Sequence, residues 1–160
     1  MTFRCQLTLL LLTASIVGCS TSSTHVVTLA LDATAQNAGK IANATLASQD
    51  SQTGFTFFIG GVPNGTTLPL RLYTYINKGS CQQPGPVAFA MNDRIETEPM
   101  ANARAWTFSR SAPMKMSGLL SGGYSIVVKT TPADGNLDIF CGNIQASAVV
   151  TELRLFQSWL

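Results

Sequence analysis

The side chains able to do chemistry are few and poorly matched to catalysis. The chain has one histidine, His25, and it precedes the first strand-like run. Copper or zinc catalysis with nitrogen or sulfur ligands needs several convergent imidazoles or free thiols, and a serine or cysteine nucleophile needs a positioned base. One histidine assembles neither, so His25 reads as a solvent-exposed residue beside a tether. Asp93, Glu96 and Glu98 cluster between candidate strands, where carboxylates could bind a cation or share a proton. Pro99 follows them and no Asp-x-Asp-x-Gly pattern is present, so a solvated loop is expected. Met91, Met100, Met114 and Met116 offer thioethers, which select Cu(I), and Pro113-Met114-Lys115-Met116 sets two of them on one face of an extended segment. Methionine is also an adaptable core filler, and packing or an exposed loop is the expectation for these four. No cofactor and no metal site is expected.

The elements that must carry these residues are strands. Short apolar runs alternate with turn signals, and no long 3.6-residue stripe occurs. Val27, Leu29 and Leu31 share one face of a first strand, and Phe55, Phe57 and Ile59 share one face of a later one, with Thr28 and Thr56 facing out. Leu70, Leu72, Thr74 and Ile76 alternate with Arg71, Tyr73, Tyr75 and Asn77, which turns a tyrosine pair outward. Over Tyr124 to Thr130, Ile126 and Val128 take one face and Ser125, Val127 and Lys129 the other. Pro63-Asn64-Gly65 and Pro132-Ala133-Asp134-Gly135 supply turns through a preset φ followed by residues tolerant of positive φ. Strands at this spacing indicate an all-β sandwich or barrel.

At the start of the chain, Arg4 precedes an apolar stretch from Leu7 to Val17 that is too short for a permanent span, and Ile16-Val17-Gly18-Cys19 closes it. This tetrad resembles a bacterial lipobox. The resemblance implies removal of residues 1–18, lipidation of Cys19 and attachment to a membrane through more than one acyl chain. Ser20 after the cysteine implies transfer to the outer membrane. Residues 19–25 then form a lipidated cysteine and a short polar tether reaching about 15 to 20 Å. Removing 18 residues from 160 leaves 142, the usual size of one domain, and a single β domain is expected over 26–160. Without Arg4, nine basic residues stand against eight acidic ones, a balance with no electrostatic footprint for nucleic acid. Cys5 leaves with the signal and Cys19 is lipidated, so Cys81 and Cys141 remain in a compartment where disulfides persist and are expected to pair.

Cys81-Gln82-Gln83-Pro84-Gly85-Pro86 after an alternating strand, together with Ile139-Phe140-Cys141-Gly142-Asn143-Ile144 after a strand containing Ile126-Val127-Val128, resembles the Cu/Zn superoxide dismutase family. The resemblance implies an eight-stranded Greek-key barrel whose loop and terminal strand are joined by these cysteines. Its metal chemistry does not carry over. Tyr73-Thr74-Tyr75 stands where the family has two copper ligands, Val87 where it has the bridging histidine, and Lys129 where it has another copper histidine. An ammonium has no lone pair for a metal. Asp138 stands where the family places a guiding arginine, and an anion there repels superoxide.

The expected protein is therefore an outer-membrane lipoprotein with a metal-free dismutase-like domain. It is read as a non-catalytic binding or structural module, with a dismutase or a methionine-based copper handler as the alternative. On the family fold Arg71, Tyr73, Tyr75 and Lys129 share the face of the lost metal site, a patch suited to a protein or small-molecule partner because tyrosine and arginine combine area with directional polar groups. The run Leu153 to Leu160 is too apolar for a free tail; intramolecular packing is expected ahead of a small helix or a homo-oligomer contact.

Overall fold

The computed structural model describes residues 26–145. The signal, Cys19, the tether with His25, and the run Leu153 to Leu160 lie outside these residues.

Alternating apolar residues build the strands as their spacing requires. In β1 (Val26–Ala33), Val27, Leu29 and Leu31 are buried while Thr28 and Ala30 are exposed. β2 (Ala42–Gln49) and β3 (Gln52–Ile59) follow as a hairpin paired along its length, from Ala42 opposite Ile59 to Gln49 opposite Gln52. After a long connection come β4 (Leu72–Gly79) and β5 (Pro84–Ala90). A two-residue β6 (Glu98–Pro99), β7 (Trp106–Ala112), a one-turn α1 (Met116–Leu120), β8 (Tyr124–Thr130) and β9 (Asp138–Ile144) complete the order.

These strands form one antiparallel nine-stranded sheet in the order β5-β4-β8-β9-β1-β2-β3-β7-β6, curled into a half-barrel. β1 is the corner. Residues 26–31 pair with β2, whereas Asp32 and Ala33 turn to pair with Cys141 and Phe140 of β9. The inner faces meet in a core that includes Leu46, Phe55, Phe57, Ile59, Leu72, Ile76, Ile126, Val128 and Phe140, all at most 1% exposed. Phe57 and Phe108 stack across β3 and β7 with centroids 4.8 Å apart. Removal of each such side chain from water contributes about 1.5–3 kcal/mol.

The curl is bridged on its open side by the chain that leaves β5. The Met91 amide donates to the Thr74 carbonyl (2.9 Å), Thr74 N–H donates to Asn92 Oδ1 (2.8 Å), and Leu72 N–H donates to the Ile95 carbonyl (2.9 Å). Thr97 Oγ1 donates to the Leu70 carbonyl (2.9 Å), after which β6 pairs with β7. Residues 91–99 thus cross from the edge of β4 to the edge of β7. At the other connection, Thr67 donates to Asp134 Oδ1 from its amide (2.9 Å) and its hydroxyl (2.7 Å), and Thr131 Oγ1 donates to Oδ2 (2.8 Å). Asp134 therefore ties the β8–β9 turn to the β3–β4 connection, and these hydrogen bonds, Thr67's first, hold its carboxyl below the usual carboxylate range.

The segment Pro113 to Met116 differs from the sequence expectation. It is not extended: the chain bends at Pro113 and Met114, and Met116 opens α1. Met116 is buried and Met114 packs against the core, so both thioethers are occupied by packing. Met91 is buried as well, and only Met100 of the four is exposed.

Candidate functional site

Strand alternation and register place the outward residues of β4, β8 and β9 in three rows. Tyr73 lies opposite Lys129 and Lys129 opposite Asp138. Tyr75 lies opposite Val127 and Val127 opposite Cys141. Asn77 lies opposite Ser125 and Ser125 opposite Asn143. Tyr73 and Tyr75, two apart on β4, stack with ring centroids 6.4 Å apart and planes 12° from parallel. Both are half-buried.

Lys129 is not a free cation. Its Nζ lies 2.9 Å from Asp138 Oδ1, the one ion pair among the described residues. The outward face was expected to carry flanking cations; here the cross-strand aspartate neutralises one of them. Arg71 precedes β4, exposed, in an isolated bridge opposite Glu96. Glu96 has its carboxyl lowered chiefly by its own backbone N–H, with further help from the Ile95 N–H, Arg71 and Arg94. Of the four patch residues, the structure brings Tyr73, Tyr75 and Lys129 together and sets Arg71 at the end of the same strand.

Val87 sits on β5 opposite Asn77 and is 56% exposed. A bulge between Ile76 and Asn77 sets Phe89 opposite Ile76 but Val87 opposite Asn77, so two residues two apart on β5 match adjacent residues on β4. Phe89 packs against the core while Val87 is left outside.

Cys81 and Cys141 are bonded, with Cα atoms 5.8 Å apart. Cys141 belongs to the middle row, so the bridge fixes the loop Ser80–Gln83 on the outer face. Asn143 clamps it further: its Oδ1 accepts from the Cys81 amide (2.8 Å) and its Nδ2 donates to Gln82 Oε1 (3.4 Å). Gly79, at φ +83°, makes the turn into this loop, a conformation that costs a Cβ-bearing residue energy. Beneath the loop Ser125 is fully buried and Val127 is 7% exposed. Ser125 Oγ and Asn77 Oδ1 have no protein partner there. The face thus divides into a covered end under the disulfide loop and an aromatic end at Tyr73 and Tyr75.

Among the described residues, no three His, Cys, Asp or Glu side chains gather. Asp93, Glu96 and Glu98 are all exposed and stretch along the 91–99 crossing, rather than converging. One residue of note escaped the sequence reading. Arg110 is in phase with Phe108 and Ala112 on the inner face of β7 and is 8% exposed. Its position two residues beyond Phe108, in a run of alternating character, was the available signal.

No family model, no curated protein and no solved structure matches this chain.

Proposed function

We propose that the chain is a lipid-anchored lipoprotein of a bacterial outer membrane, and that its β domain is a non-catalytic binding module with the Greek-key architecture of the Cu/Zn superoxide dismutase family. The strand order supports the architecture: β1-β2-β3-β7 form one wall, β5-β4-β8-β9 the other, and the connections after β3, β5 and β7 pass between walls. The Cys81–Cys141 bridge supports it from a second direction. The lipobox resemblance of Ile16 to Cys19 supports the anchor.

The observation that carries the binding role is the stacked Tyr73–Tyr75 pair beside Lys129 and Asp138. Phenols and an ammonium held by a carboxylate make a poor copper or zinc ligand set. They make a good contact surface, because two aromatic rings already stacked lose little further rotamer freedom when a partner covers them. The partner is a protein or small molecule bearing an apolar surface with hydrogen-bond acceptors for the phenols.

The test uses the full-length chain in a bacterial envelope. A photo-reactive residue at position 73 is expected to cross-link a partner, while the same group at exposed Thr28, on the outer side of the opposite wall, does not. Equal labelling from both positions counts against the patch. Stoichiometric copper or zinc in the purified protein, measured by elemental mass spectrometry, overturns the non-catalytic reading in favour of a dismutase or copper-handling protein. Labelled palmitate incorporated by the wild type but not by Cys19→Ala checks the anchor.

A further inference from the structure

A second site lies on the open side of the half-barrel, where the 91–99 crossing passes β7. Two clefts meet there. One, of roughly 270 Å³, is lined by Met91, Asp93, Arg94, Ser109, Arg110 and Ser111. The other, of roughly 490 Å³, shares Arg94, Ser109 and Arg110 and adds Glu96 and Glu98.

Arg110 is the unusual group. A charged side chain pointing to the core side of a strand is normally paired, since an uncompensated buried charge is costly. Arg110 has no carboxylate within 4.0 Å: the ion pair among the described residues belongs to Lys129 and Asp138. Its guanidinium lies over the Phe108 ring, 4.4 Å from the centroid, and donates from Nη1 to the Ser109 carbonyl (2.8 Å) and from Nη2 to the Glu96 carbonyl (3.4 Å). These contacts fix the plane of the guanidinium without an ion pair, and the Glu96 carboxylate acts on its charge only from beyond 4.0 Å. Nε, buried, has no partner. Burial, as the largest influence, lowers the pKa of Arg110, with Glu96 opposing and Arg94 reinforcing the shift.

We propose that the smaller cleft binds a small monocarboxylate, with its carboxylate at Arg110 and Arg94. Within this cleft Asp93 stands against Arg94 and Arg110, and Glu96 in the adjoining cleft acts on Arg110, so the site suits a single negative charge better than a dianionic phosphate. The planar guanidinium fork matches a carboxylate. In the larger cleft Glu96 and Glu98 offset the two arginines.

The test follows the Arg110 Nε–H resonance of the full-length, disulfide-bonded protein in detergent micelles during titration at constant ionic strength. Pentanoate and acetate are both expected to move it saturably, and chloride not at all. Arg110→Gln removes the probe and endangers the fold, so exposed Arg94→Gln is the second variant. It is expected to weaken pentanoate binding about three- to fivefold, as for loss of one exposed charge contact. A shift linear in pentanoate, an equal shift with chloride, no effect of Arg94→Gln, or tighter binding of inorganic phosphate overturns the proposal.

Discussion

Lys129 Nζ rests 2.9 Å from Asp138 Oδ1 across β8 and β9, and Tyr73 stands opposite Lys129 on the next strand. The pair lies at the base of the β8–β9 turn, where the register shifts between Val128 and Lys129. It joins strands already held by the backbone ladder, with the lysine side chain 25% and the aspartate 54% exposed. Its role is local: it sets the charge beside the aromatic pair to zero and keeps the lysine stem along the face.

That pair is expected to add little to stability. In a double-mutant cycle with Lys129→Ala and Asp138→Ala, read by urea unfolding, the coupling should lie below about 1 kcal/mol and shrink in 1 M salt. A salt-independent coupling of several kcal/mol would show a stronger role than exposure allows.

Phe57 should behave oppositely. It is 0% exposed and stacks on both Phe55 and Phe108. Phe57→Ala is expected to cost about 3–5 kcal/mol, since both transfer energy and a residual cavity are lost. A loss under 1 kcal/mol in chemical denaturation would mean that the two walls collapse into the gap.

Breaking the Cys81–Cys141 bridge has two readouts. Across a sequence separation of 60, the chain-entropy model gives about 4 kcal/mol, so the paired serine variant should unfold at markedly lower denaturant. Amide exchange should also rise first in Ser80–Gln83, the loop held on the outer face. Unchanged protection there would mean that Asn143 alone holds the loop.

Asp134 predicts an acid limb. Its folded pKa is depressed by the Thr67 and Thr131 hydrogen bonds. The stabilising contribution is therefore fully present above the ordinary Asp pKa, about 3.9, and is lost as pH falls through the lower folded value. Asp134→Asn should flatten this part of the stability profile below about pH 4 and leave the slope near neutrality unchanged. The check is the urea midpoint measured from pH 2 to pH 7 for both proteins.

Much of the fold was legible because strand faces follow a two-residue period. Val27, Leu29 and Leu31 in β1, and Phe55, Phe57 and Ile59 in β3, are buried as their alternation requires. The two turns also lie where their proline and glycine residues set them, with Gly65 at φ +87° and Gly135 at φ +90°. Period fails where a second layer is added. Ser125 and Val127 point outward yet are buried, because the loop carried by Cys81 lies over them. Period also cannot say what an inward arginine does: Arg110 is tolerable on the core side because Phe108 and two carbonyls receive its guanidinium. The methionines at 114 and 116 were misplaced because the bend before α1 has no strong local signal beyond Pro113. The pairing of Lys129 with Asp138 depended on a register shift that sequence spacing does not reveal.

The bond between Cys81 and Cys141 makes a closed covalent ring that contains β5, β6, β7, α1, β8 and the start of β9 up to Cys141. A protease that cuts once anywhere inside that ring opens a strand connection but releases nothing, because both ends stay attached through sulfur. The 91–99 crossing and the exposed tip near Asn102 fall within this protected circuit. The connections among β1, β2, β3 and β4 fall outside it, so one cut there separates the chain into two pieces held only by the sheet. The molecule's tolerance of damage is thus divided unevenly along its length.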